Sequence, residues 1–199
     1  MVRRLHIGGK VKIEGWEVLN VNPAPYVDHV CNANDLSRFA DNTFAEIYAS
    51  HIVEHLDYMG KPNDVPARQG QWAFGQPVPS ELENTLMEWN RVLVPGGKLF
   101  IGVPDLDVLA KMIIDKNRLT VEERFFVMRM IFGGHRDQYD YHVVGLNKDF
   151  LTKYLKASGY VNITKVQGFG LFNDTSASLF KGVSISLNMI AEKPKVSAN

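Results

Sequence analysis

Short apolar runs alternate with longer amphipathic stretches along this chain, and the alternation predicts its elements. Residues 3–8 (Arg-Arg-Leu-His-Ile-Gly) and 16–21 (Trp-Glu-Val-Leu-Asn-Val) read as short strands. Residues 44–49 and 98–103 have the near-continuous apolar character of buried central strands. The run at 98–103 has sharp borders, with Pro95-Gly96-Gly97 before it and Pro104 after it. Residues 160–167 and 183–192 alternate apolar and polar positions, as half-buried strands do.

Helices are marked by their caps. Ser80 and Glu83 have capping-box spacing, and Leu82, Leu86, Trp89 and Leu93 follow at helical intervals. Asp105 can cap a second helix with Val108, Leu109, Met112 and Ile113 on one face. Thr120 and Glu123 repeat the capping-box spacing ahead of Phe126, Met130 and Ile131, and a last helix near 148–158 stops at Gly159. Strand–helix alternation of this kind predicts an α/β fold with a mostly parallel sheet covered on both faces. Two stretches break the alternation: 57–79, rich in proline and glycine and carrying Trp72 and Phe74, and 133–146, rich in polar and aromatic groups. The expected organisation is one domain over 1–194 with a tail at 195–199.

Composition narrows the function. Lys plus Arg equals Asp plus Glu at 22 each, so no overall basic field disposes the chain to nucleic acid. Cys31 is the only cysteine, which excludes an intrachain disulfide and a cysteine-rich zinc site. Neither a signal-peptide apolar region nor a run of about 18 apolar residues occurs, so the expectation is a cytoplasmic protein without a membrane partner.

Four pieces in order resemble the class I S-adenosylmethionine-dependent methyltransferases. They are Leu5-His6-Ile7-Gly8-Gly9-Lys10, Asn34-Asp35-Leu36, the run from Phe44 to Leu56, and the run from Arg91 to Ile101. The region Leu151 to Val166 looks like the family's late helix, glycine turn and sixth strand, and the nearest likeness is to small bacterial members of unassigned substrate. The resemblance implies a Rossmann-like three-layer sandwich with an antiparallel C-terminal strand. It implies S-adenosyl-L-methionine as cofactor and a small-molecule acceptor, sugar- or glycan-related chemistry among the options, methylated on oxygen or nitrogen. Carried over residue by residue, it places Gly8, Gly9, Lys10, Asn22, Asp35, Leu36, Ser50 and His51 at the cofactor. Asn22 would face the ribose hydroxyls, Asp35 would accept from the adenine amino group, and Leu36 would cover the adenine. Catalytic candidates are His51, as general base or as a residue shaping the cofactor site, with His135 and His142 in the 133–146 segment. The partner to look for besides the acceptor is a second copy, in a homodimer.

The chain also departs from the family pattern. His6 stands where an acidic residue is usual, Lys10 replaces a glycine, and Asn22 replaces a carboxylate. Few residues separate the first two strands, so their connection is expected to be trimmed of its helix. These departures keep open a catalytically silent relative serving as a binding or scaffold protein. A nucleotide-binding oxidoreductase is disfavoured because no G-x-G-x-x-G follows the first strand. His51-Ile-Val-Glu54-His55 matches the H-x-x-E-H pattern of inverted zinc proteases. On a helix, its two histidines would share a face. The resemblance accounts for the same stretch without a metal, with Glu54 and His55 capping and packing a helix, and no metal is expected.

Overall fold

The computed structural model describes residues 2–59 and 79–195. Its strands are β1 (Arg4–Ile7), β2 (Glu17–Asn20), β3 (His29–Val30), β4 (Phe44–Ser50), β5 (Leu93–Pro104), β6 (Val161–Val166), the hairpin pair β7 (Leu179–Phe180) and β8 (Val183–Ser184), and β9 (Ser186–Glu192). Seven of them form one sheet in the order β3-β2-β1-β4-β5-β9-β6. β3, β2, β1, β4 and β5 pair in parallel, while β9 runs antiparallel to both β5 and β6. The sheet is Rossmann-like, mostly parallel, with the antiparallel C-terminal strand that the resemblance implies.

Residues 8–16 join β1 to β2 in parallel without a helix. The chain turns at Gly8, whose φ is +75°. Its N–H then donates to Leu19 O at 2.8 Å, stitching the turn to β2. The β2–β3 and β3–β4 connections carry no helix either. The helices are α1 (Glu81–Val92), α2 (Leu106–Ile114), α3 (Val121–Phe132) and α4 (Lys148–Ala157). Both capping boxes form, at Ser80/Glu83 and Thr120/Glu123, and the Asp105 side chain accepts from Asp107 N and Val108 N. Gly159 ends α4 at φ +85°, a left-handed conformation that glycine adopts without Cβ strain.

Alternation along the strands sends the apolar residues of the sheet to two different layers. Leu5, Ile7, Ile47, Leu99 and Ile101 meet Leu82, Leu86 and Trp89 of α1 and Leu151 and Leu155 of α4. Each such side chain contributes about 2 kcal/mol by leaving water. On the opposite face, His6 and Tyr48 pack under Trp16 and Phe172, with Phe100 and Phe169 beside them. Here rings and loops do what a crossover helix does elsewhere. The buried Asn188 amide holds this layer down by donating to Gln167 O at 3.1 Å and Ser176 O at 2.8 Å. α2 and α3 pack on each other and on the β7–β8 hairpin as a satellite cluster around Leu109, Met112 and Val127.

Two local expectations change. β5 begins at Leu93, not Lys98, because Leu93 pairs with Phe44 before the register slips and Pro95-Gly96-Gly97 bulges out. The stretch after β4 is only a 3-10 turn over Val53–His55, so His51 and His55 do not share a helix face. The segment 57–79, with Trp72 and Phe74, lies almost wholly outside the described residues. No helix among the described residues is long and apolar enough to cross a membrane.

Candidate functional site

A cleft of about 450 Å³ opens at the carboxyl ends of β1, β2 and β4. Ligands of open parallel sheets bind at that end, and the volume is within the usual range for small-molecule sites. One wall holds Gly8, Lys10, Asn20 and Asn22, the floor holds His51, Ile52 and His55, and the facing wall holds Arg136, Asp137, Tyr139 and Asp140. Asn20 donates to Gly9 O at 3.0 Å and accepts from Asn22 N at 2.9 Å, so one amide sets both turns beside the cleft. Among the described residues Lys10 has no ion-pair partner. On the facing wall Arg136 bonds Asp140 at 2.7 Å, and that guanidinium holds the Asp140 carboxyl far below the ordinary carboxylate range.

Of the residues expected at the cofactor, Gly8, Lys10, Asn22 and His51 line this cleft. The others do not. Gly9 is buried against the His6 ring, where a Cβ would come within 2.8 Å of Nδ1. Leu36 is fully buried in the helix-side core, because Arg91 takes its carbonyl at 3.1 Å and draws the segment onto α1. Asp35 is exposed, accepts from Ser37 N at 3.1 Å in a local turn, and does not line the cleft. The strand alternation that faces Tyr48 toward the ring layer faces Ser50 there too, and its Oγ is buried without a partner. Asn32 and Ala33, just ahead of the expected Asp35, line the cleft instead.

The three catalytic candidates also separate. His135 is exposed, donates from Nε2 to Phe132 O at 2.9 Å, and stacks on Tyr141 with centroids 4.0 Å apart, outside the cleft lining. His51 sits at φ +56° after β4. Its Nε2 lies 2.9 Å from Ser186 Oγ, and that hydroxyl donates onward to Thr175 O. The serine therefore accepts from His51, and the proton on that ring is at Nε2. Nδ1 lies 3.2 Å from Glu54 Oε1, so both ring nitrogens point at protein atoms. His142 lies away from the cleft lining but beside Glu54 and His55, whose ligand atoms and its own all fall within 4.8 Å of one another.

Glu54, expected from the sequence to help cap and pack a helix, is 1% exposed, and neither carboxylate oxygen accepts a hydrogen bond. Burial raises its pKa, but the imidazoles of His51, His55 and His142 outweigh it and hold the carboxyl below its ordinary value. Burial likewise pushes the His142 imidazole down. Arg136, Asp137, Tyr139 and Asp140 come from the polar-aromatic 133–146 stretch that the sequence marks as a candidate acceptor segment, whereas Asn20 and Asn32 line the cleft with no sequence signal of their own.

No family model and no curated protein matches this sequence. Solved structures do. The chain aligns with the CurJ carbon methyltransferase at TM-score 0.52 and 13% identity, over 98% of this chain and 49% of that one. A SAM-dependent methyltransferase from Archaeoglobus fulgidus aligns at TM-score 0.52 and 13% identity, over 96% and 86% of the two chains. A possible histamine N-methyltransferase from Thermotoga maritima aligns at TM-score 0.50 and 13% identity, over 97% and 83%. The chain spans about half the length of CurJ and of the citrinin polyketide synthase methyltransferase domain structure it also matches. Identity this low carries architecture and not activity. The strand order, the antiparallel β9 and these likenesses together give the chain the fold of the class I S-adenosylmethionine-dependent methyltransferases.

Proposed function

We propose that the chain transfers a methyl group from S-adenosyl-L-methionine to a small acceptor, on oxygen or nitrogen, with sugar-like hydroxyl compounds the first acceptors to screen. The observation that carries this reading is the cleft at the carboxyl ends of β1, β2 and β4, lined by Gly8, Lys10, Asn22 and His51. The residues present fit the cofactor. Asn22 is exposed at the cleft and its amide can bond ribose hydroxyls, though without the charge-assisted strength of a carboxylate. The Lys10 ammonium can pair with the cofactor's carboxylate. In this reading Asn32 and Ala33, which line the cleft, would meet the adenine in place of Asp35 and Leu36. When bound, the cofactor supplies an electrophilic methyl group on sulfur, and the chain's part is to hold that methyl in line with the acceptor. His51, tied through Ser186 to Thr175, is a positioning residue that fixes the cleft floor.

The lysine in the glycine turn also favours a second reading, a silent relative whose cleft no longer takes the cofactor. Isothermal titration with S-adenosylhomocysteine separates the two. Micromolar binding at one site per chain is expected in the wild type, and Gly8→Val is expected to weaken it at least about tenfold. A side chain there meets positive-φ strain, and its Cβ would lie 2.2 Å from Ile52 Cδ1, pressing that cleft residue out of place. Binding absent in the wild type but present in a Lys10→Gly, Asn22→Asp double variant establishes the silent reading instead.

A further inference from the structure

Glu54, His55 and His142 form a cluster that the methyl-transfer reading does not use. Their ligand atoms lie within 4.8 Å of one another. The carboxylate is 1% exposed, and both its oxygens are buried without a hydrogen-bond donor. A buried ionised carboxylate left this way costs several kcal/mol unless a cation meets it. Among the described residues, the only ion pair to this carboxylate is from His51 Nδ1, 3.2 Å from Oε1.

The two other imidazoles are held as metal-binding imidazoles are held. His55 Nδ1 lies 2.9 Å from Tyr141 O, and His142 Nδ1 lies 3.1 Å from Met130 O. A carbonyl only accepts, so each ring carries its proton on Nδ1, and the nitrogen left with a lone pair is Nε2. A backbone carbonyl that fixes the tautomer and orientation of a ligating ring is the recurring outer support of metal sites. The two rings meet edge to face with centroids 4.8 Å apart. Their approach is enforced by the backbone, because Val143 N and Val144 N both donate to Glu54 O, at 2.9 and 3.3 Å.

We propose that Glu54, with His55 and His142 through Nε2, binds a first-row divalent cation of the zinc type beside the cleft, where His55 meets the buried carboxylate. Two imidazoles and one carboxylate are a ligand set for such ions, and three protein ligands leave a coordination position open. His55 lines the cleft. An ion beside it would present that open position to an oxygen-bearing acceptor and hold it as a template. This role for the ion rests on the methyl-transfer reading; the site itself does not.

The test uses the untagged full chain, stripped with a chelator, dialysed into metal-free buffer and titrated with Zn²⁺, with Co²⁺ as the spectroscopic probe. Uptake of one zinc per chain is expected, with visible d–d absorption in the cobalt form. Glu54→Gln, His55→Ala and His142→Ala are each expected to weaken binding at least about tenfold, the scale on which even the supports of a ligand act. His29→Ala, on β3 and bonded to Glu17 outside the cluster, is expected to bind as the wild type does. Far-ultraviolet circular dichroism and a melt show which variants fold, and the near-isosteric Glu54→Gln keeps the site testable. Absence of saturable zinc uptake in the wild type overturns the proposal. So does unchanged affinity in folded Glu54→Gln or His142→Ala, or an equal loss in His29→Ala. Uptake is read without nucleotide. A chain that takes zinc but ignores S-adenosylhomocysteine fails only the methyl-transfer reading, and one that binds S-adenosylhomocysteine but no zinc fails only this one.

Discussion

Gly133→Ala is expected to cost at least about 3 kcal/mol of stability and to lower the melting temperature by about 6–12 °C. Gly133 closes α3 at φ +89° and ψ 170°, a region essentially reserved for glycine. A Cβ there would stand 2.2 Å from Asp140 O and 3.0 Å from His142 N. These are backbone atoms, so no rotamer change relieves the clash. The atoms it strikes are the latch of the loop: His135 N donates to Asp140 O and His142 N to Phe132 O, each at 3.0 Å. Opening it displaces Arg136, Asp137, Tyr139 and Asp140 from the cleft wall and carries His142 away from Glu54. Loss of S-adenosylhomocysteine affinity and of zinc uptake should therefore accompany the fall in stability. Gly170→Ala is the control, since that glycine has φ +65° but nothing within 4 Å of its would-be Cβ. It should show only the strain of left-handed backbone, about 1–2 kcal/mol. Equal melting of the two variants would mean that the latch contacts carry no weight.

Acidification from pH 7 to about pH 4 is expected to remove about 3 kcal/mol of stability through His6 alone, seen as a falling denaturant midpoint. His6 is 5% exposed, its Nδ1 has no hydrogen-bond partner, and Tyr48 and Phe172 pack its ring at centroid distances of 5.0 and 4.0 Å. Burial among these rings pushes its pKa down to about 4 from an ordinary 6.5, and the nearby Asp174 charge only partly offsets this. The unfolded chain therefore binds the proton first as pH falls. The contribution is fully present above pH 6.5, fades between 6.5 and about 4, and is gone below that. At 1.36 kcal/mol per pH unit across that window, the loss amounts to about 3 kcal/mol. His142 and the salt-bridged Asp28 and Asp140 are also shifted down, so they too lose stability on acidification. Comparison with His6→Phe isolates the histidine: the variant should have a shallower acid limb by that amount. Parallel limbs for the two proteins would show that His6 is not buried neutral.

His6 also shows how far a motif can be read. Its position two residues before Gly8 was legible as a departure from an acidic pattern, but its environment was not. The cause is the missing crossover helix. With no helix in the β1–β2 connection, the face that His6 points to is filled by Trp16, Phe169 and Phe172, rings drawn from opposite ends of the chain. The expected cofactor contacts divided for a related reason. Gly8, Lys10 and Asn22 follow directly from strand ends, so their place at the cleft comes from the strand order. Asp35 and Leu36 lie on an irregular segment, whose course is decided by Arg91 binding Leu36 O and Phe39 O and by Trp89 Nε1 donating to Ala33 O at 2.8 Å.

What the sequence by itself determined is local: the two capping boxes, the Asp105 cap, the stop at Gly159, the sharp glycine turn after β1 and the trimmed connection that follows it. Each depends on residues a few positions apart, and their chemistry is complete once the spacing is right. The resemblance added a mostly parallel sheet with an antiparallel last strand, while the order β3-β2-β1-β4-β5-β9-β6 came from the tertiary structure. Only the tertiary structure decided which histidines meet. His51-Ile-Val-Glu54-His55 reads as a helical zinc motif, but the chain makes only a 3-10 turn there, and His51 turns to Ser186. His142 reaches Glu54 from a distant loop because Val143 and Val144 bond Glu54 O. No spacing encodes that contact, because it is set by backbone hydrogen bonds between segments brought together when the sheet and α3 pack.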